Sequence, residues 1–138
     1  MNDEQRYKQG IEVRTEVLGE KHVGRSLQNL NDFNQDFQNF ISRYAWGEVW
    51  SRPGLPRHTR SLVTIAILLA LGREDELRMH YLRACFNNGV TKEDLKELIL
   101  HSSLYAGLPA ANAAMHMAEE VFKELGIEVN PIAAKEQD

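Results

Sequence analysis

One cysteine, four prolines and no apolar stretch of membrane-spanning length occur in the 138 residues. A lone thiol, Cys85, cannot close a disulfide within the chain. The longest strongly apolar run, LVTIAILLALG over 62–72, falls short of the roughly 18 residues that a spanning helix needs, so it is expected as a buried core helix and no membrane partner is expected. Positive charge is also scarce. Sixteen Lys and Arg face twenty Asp and Glu, a net charge of −4, which supplies no general field for nucleic acid or anionic lipid. An anionic ligand would need a local cationic pocket. The N-terminus, MNDEQRYKQG, lacks the apolar segment of a secretory signal, and with the single cysteine this points to a reducing cytoplasm. The alternating pattern of β-strands is missing too, so the expected class is all-α, a bundle of about six helices.

What is present fits one domain spanning 1–138, with 43% hydrophobic and 26% charged residues and a polar tail from about 127. A polar helix is predicted over 2–18, with a thin apolar stripe of Tyr7, Ile11, Val13 and Val17, closing at Gly19. A second is predicted over 25–44, where Leu27, Leu30, Phe33, Phe37, Phe40, Ile41 and Tyr44 recur at helical spacing and imply one buried face. WGEVWSRPGLPRH then reads as a structured loop, because Pro53, Gly54 and Pro56 interrupt it while Trp46 and Trp50 need burial. The third helix, about 57–71, is apolar nearly all round and is expected at the centre. A fourth covers about 74–88, from Glu74, Asp75 and Glu76 to Asn88-Gly89. Thr91 and Asp94 resemble a capping box at the head of a fifth, from 92 to about 105. AANAAMHMAEEVFKELG forms the sixth, ending at Gly126, and helices four, five and six are expected as antiparallel neighbours. So much apolar surface predicts a homo-oligomer.

Several residue patterns bear on chemistry. Glu76 and His80 are four apart, so their side chains share a helix face; a carboxylate orienting an imidazole suits general acid/base work, and an exposed stabilising pair has the same spacing. Cys85 has no second cysteine at Cys-x-x-Cys spacing and reads as packing. The five histidines are scattered, so no metal is expected. RPGLPRHTR gathers Arg52, Arg57, His58 and Arg60 at a helix start, which favours a carboxylate or phosphate ligand; pairing with Glu48 or with the acids at 74–76 explains the same cluster without one. Asn112 and His116 share a face and offer polar groups to one pocket.

Together, RYAWGEVWSRPGLPRHTRSLVTIAILLALGR, DELRMHYLRACFNNGVTKEDLKELIL and YAGLPAANAAMHMAEEVF resemble the γ-carboxymuconolactone decarboxylase family over about 6–124. The resemblance implies an alkylhydroperoxidase-like helical fold, a hexamer built as a trimer of dimers, and decarboxylation of a small dicarboxylate lactone without a cofactor. Peroxidase relatives carry a Cys-x-x-Cys followed by histidine, and this chain does not. Family members often have Gln at the position of His101 and Ser or His at that of Ala113. The implied roles are His80, oriented by Glu76, as proton donor; Arg60, with His58 or Arg52, on the acetate side chain; Asn112 and His116 near the enolate oxygen; and Trp46 or Trp50 as an apolar wall for the departing carboxylate. Decarboxylase-like paralogues with another lactone or oxo acid, and a thiol redox protein, are the alternatives.

Overall fold

The computed structural model describes residues 1–133, with the backbone alone at Met79 and His80; the end of the polar tail, 134–138, lies outside the described residues. Those residues are all-helical. The helices are α1 (Asp3–Leu18), α2 (Glu20–Gln28), α3 (Gln35–Phe40) continuing into a π-helix (Ile41–Val49), α4 (Arg57–Leu71), α5 (Glu74–Glu76) continuing into a second π segment (Leu77–Leu82) and a 3-10 turn (Cys85–Asn88), α6 (Lys92–Ala106) and α7 (Leu108–Leu125).

Local chemistry accounts for most boundaries. Asn2 and Gln5 form a reciprocal capping box at α1, and Thr91 and Asp94 form one at α6. Gly72, Gly89 and Gly126 take left-handed conformations beyond helix ends, where a Cβ would strain the backbone.

The helix predicted over 25–44 requires correction. It is interrupted between Gln28 and Gln35, where Asn31 Oδ1 accepts from the Phe33 and Asn34 amides at 2.9 Å and Asn34 Oδ1 accepts from the Asn31 amide at 2.9 Å. Asparagine side chains that bond nearby backbone replace the helical ladder with a turn. The helical path then runs on through Trp46 to Val49, so the expected loop shortens to about 50–56. There Ser51 Oγ donates to the Trp46 carbonyl at 2.6 Å.

Two cores result. The larger joins α4, the 77–90 segment, α6 and α7 around Ile65, Leu77, Leu82, Leu95, Ile99 and Val121. The smaller packs Val13 and Val17 of α1 against Trp46, with Trp50 stacked on Trp46 at 5.0 Å between ring centroids. The 74–88 segment lies against α4 and α7, and α6 also lies against α4 and α7. Arg78–Glu120 at 3.2 Å and Arg83–Glu124 tie the segment to α7.

The aromatic stripe of the predicted second helix is not buried within one chain: Phe33 is 93% exposed and Phe37 60%. Helix α4 is likewise covered on one side alone, with Ile65 and Leu69 buried while Val63, Ile67 and Leu71 face outward. Leu104, Tyr105 and Met115 are exposed as well, whereas Ile99 and Met117 are in the core.

Candidate active site

The arginine-rich helix start is tied up by protein groups. Arg52 pairs with Glu48 at 3.6 Å, and Arg57 pairs with Glu16 on α1. Arg60 donates from Nε to the Leu55 carbonyl at 3.1 Å and from a terminal nitrogen to the Arg52 carbonyl at 3.2 Å, so it braces the 52–56 loop. His58 Nε2 lies 2.8 Å from Asp94 Oδ2, the carboxylate that also accepts from the Thr91 amide. The partners differ from the acids at 74–76 because α4 starts beside α1 and the head of α6.

The His58 hydrogen bond, reinforced by the Thr91 amide, holds the Asp94 carboxyl below the ordinary carboxylate range. A carboxyl whose folded pKa is depressed contributes stability that is complete above its unfolded value of about 4 and is lost as pH falls through the folded value. Asp94→Asn is therefore expected to lower the melting temperature at pH 7, with the gap from wild type closing as pH falls below the ordinary carboxylate range. An unchanged gap across that range would assign the loss to something other than this carboxylate.

The remaining sequence candidates are spread over the molecule. Glu76 is exposed at the end of α5; the pKa of the nearby Tyr81 phenol is raised by burial, lowered in part by the Arg14 charge and raised further by that of Glu76. His80 occupies the π segment Leu77–Leu82; its side chain lies outside the described residues. Trp46 is 4% exposed and belongs to the smaller core. Asn112 and His116 are both exposed on α7, and Asn112 borders an apolar groove of about 600 Å3 between α6 and α7 with Leu100, Leu108 and Met115. His101 packs its ring on Tyr105 at 5.3 Å, and Ala113 packs against the larger core. Cys85 is buried, donates to the Leu82 carbonyl at 3.2 Å, and burial pushes its thiol up to about 12, so it is not a thiolate at neutral pH. Among the described residues, no cluster of three or more His, Cys, Asp or Glu could hold a metal ion.

Two features were not singled out in the sequence. Arg14 is buried at 7% exposure on α1, where desolvation lowers its pKa and the Tyr81 and Tyr7 phenols act against that; it donates to Gln38 Oε1 at 3.2 Å. A cavity of about 390 Å3 lies between α2 and the 83–87 stretch, lined by Lys21, His22, Arg25, Arg83 and Asn87 among others. The four-residue spacing of Lys21 and Arg25 was the available signal. Nothing in the local pattern said that Arg83 would face them.

These features define an all-helical protein with a cationic cavity beside a π-distorted helix that carries a histidine. The carboxymuconolactone decarboxylase family model matches residues 35–120. The chain is 91% identical over 127 residues to a 4-carboxymuconolactone decarboxylase of Acinetobacter baylyi, covering 92% of this chain and 94% of that one. It is 37% identical over 119 residues to the nitrosuccinic acid decarboxylase npaB of Metarhizium robertsii, covering 86% and 82%. A 4-carboxymuconolactone decarboxylase sequence of Pseudomonas putida is 52% identical over 48 residues, which is 35% of this chain and all of that one. The chain belongs to the carboxymuconolactone decarboxylase family.

Proposed function

We propose that the chain is a carboxy-lyase converting 4-carboxymuconolactone to 3-oxoadipate enol-lactone and CO2, a step of protocatechuate catabolism. The observation that carries this reading is the 91% identity to the Acinetobacter baylyi enzyme over nearly the full length of both chains.

The chemistry explains why so small a helical protein suffices. In 4-carboxymuconolactone the departing carboxylate sits on the carbon gamma to the lactone carbonyl, across a carbon–carbon double bond. Breaking the bond to CO2 sends its electron pair through that double bond onto the lactone oxygen, giving a dienolate. One proton delivered to the alpha carbon completes the enol-lactone. Nitrosuccinic acid, named for the 37% identical relative, also carries two carboxyl groups and its own electron acceptor, the nitro group. The shared requirement is a cationic grip on a dianion and one deliverable proton, with no borrowed electron sink.

In this proposal His80, oriented by Glu76, delivers the proton from the π segment, and irregular π geometry recurs at functional sites. Arg60 with His58 or Arg52 is one candidate grip on the acetate side chain, and using it requires the substrate to displace the contacts to the loop carbonyls, Asp94 or Glu48. Asn112 and His116 are candidates for the enolate oxygen. Trp46, 4% exposed in the smaller core, offers a departing carboxylate little surface, so half-buried Trp50, stacked on it, is the better candidate for the apolar wall.

The outward-facing Phe33, Phe37, Ile67 and Tyr105 support a homo-oligomer, proposed as a hexamer made of three dimers. Gel filtration at one chain's mass would refute it. No described helix is long and apolar enough to cross a membrane, and we place the activity in the cytoplasm.

The deciding assay follows CO2 release from 4-carboxymuconolactone with and without chelator, beside nitrosuccinic acid as a rival substrate. Turnover of the lactone that survives chelation, and survives Cys85→Ser, is expected. Preference for nitrosuccinic acid would favour a paralogue with a different substrate, and activity lost on chelation would end the cofactor-free account.

A further inference from the structure

We infer that the cavity between α2 and the 83–87 stretch is the subsite for the carboxylate of the substrate's acetate side chain, the one that does not depart, held by Lys21, Arg25 and Arg83. This deepens the decarboxylase reading and rests on it.

The cavity lining contains no Asp or Glu. Among the described residues neither Lys21 nor Arg25 forms an ion pair, whereas Arg83 pairs with Glu124. Three cations against one carboxylate leave two positive charges to hold the acetate carboxylate. The chain as a whole carries −4, so this local excess runs against its average and cannot be a by-product of a basic composition. By contrast, Arg52, Arg57 and His58 already face carboxylates and Arg60 is bound to carbonyls.

Lys21 and Arg25 are four residues apart on α2 and so share one face of that helix, and Arg83 and Asn87 line the cavity from the opposite wall. The volume of about 390 Å3 is in the usual range of roughly 300–1,000 Å3 for ligand sites. Arg83 follows His80 by three residues, just beyond the end of the π segment, which places the grip next to the proposed proton donor's position in the chain. Arg83 is anchored by Glu124, so it is pre-oriented, while exposed Lys21 and Arg25 on the other wall are available to close on the ligand.

The test is a Lys21→Ala/Arg25→Ala double variant, compared with a Lys8→Ala/Lys96→Ala double variant that removes the same charge elsewhere. Two readouts are used: steady-state decarboxylation of the lactone, and calorimetric binding of adipate, an unreactive six-carbon dicarboxylate. The first variant is expected to raise KM by at least about tenfold with kcat within about threefold, because it removes grip rather than chemistry, and to weaken adipate at least about tenfold. Arg25→Lys should keep KM within about threefold of wild type, since charge is conserved. The Lys8/Lys96 variant should leave both within about twofold. Adipate affinity and KM unchanged in the Lys21/Arg25 variant of an active enzyme would overturn the inference and leave the decarboxylase reading intact. A wild type that turns over no lactone, but binds adipate through these cations, would remove that reading and keep the cavity as a carboxylate site.

Discussion

His80→Ala is expected to lower kcat for lactone decarboxylation by at least about two decades, the usual effect of deleting a general acid, without lowering the melting temperature by more than about 2 °C. Carbon protonation is the one step for which the substrate carries no internal remedy. The lactone accepts the electrons, but a hydrogen ion must reach a carbon that water protonates slowly. Glu76→Gln should lose a similar factor, because an amide of nearly the same shape cannot hold the imidazole in one tautomer or stabilise its charged form. Glu76 is exposed, so the substitution has little to disturb in the fold. The two losses should not add in the double variant, since both act through one proton. Wild-type turnover by either variant would remove the pair from the mechanism and leave Tyr81, whose half-buried phenol lies within electrostatic reach of both Arg14 and Glu76, as the next candidate.

Gly10→Ala is expected to be the most destabilising single methyl in the chain. A Cβ built there lies 1.7 Å from the Ser42 carbonyl oxygen, 2.7 Å from its carbon and 3.1 Å from the Gly47 nitrogen. All three are backbone atoms of the π-helix, so no side chain can swing aside. Gly47 meets α1 from the other direction, where a Cβ would lie 2.5 Å from the Arg6 carbonyl oxygen. The two glycines let α1 and Ile41–Val49 cross at backbone contact, and that crossing encloses Val13, Val17 and Trp46. Forcing the helices apart opens the smaller core, at a cost of about 3 kcal/mol or more, at or beyond the top of the usual overpacking range. For a chain of this size that is a fall of roughly 10 °C in melting temperature. Gly24→Ala supplies the contrast. It is a helical glycine with nothing within 4 Å of an added Cβ, so alanine should stabilise it by about 0.5–1 kcal/mol. A Gly10→Ala protein that melts with wild type would mean that the crossing is looser than described.

Helix ends were legible because they depend on residues close in sequence. Thr91 and Asp94 cap α6 as their spacing implied, and Gly19, Gly72 and Gly126 end helices where the apolar periodicity stops. The second predicted helix failed for a reason that is also local. Its apolar repeat at Leu30, Phe33 and Phe37 spans a turn that Asn31 and Asn34 build from their own side chains, and the spacing of hydrophobic residues carries no record of that competition. Burial was harder to read. The repeat through Phe33, Phe37 and Phe40 has the period of a buried face, yet these rings stay largely exposed among the described residues. Periodicity reports that a face is apolar, not what covers it.

The sequence by itself determined the helical class, the main punctuation, the family and the Glu76-x-x-x-His80 spacing, all of which rest on short-range pattern or on direct similarity. Only the tertiary structure decided which cations are occupied. It pairs Arg57 with Glu16 and His58 with Asp94, binds Arg60 to the loop it follows, and sets Arg83 across a cavity from Lys21 and Arg25. The physical reason is reach. A helix cap is settled within about four residues, while an ion pair or a cavity wall depends on which distant helices pack together, and that follows from the whole core.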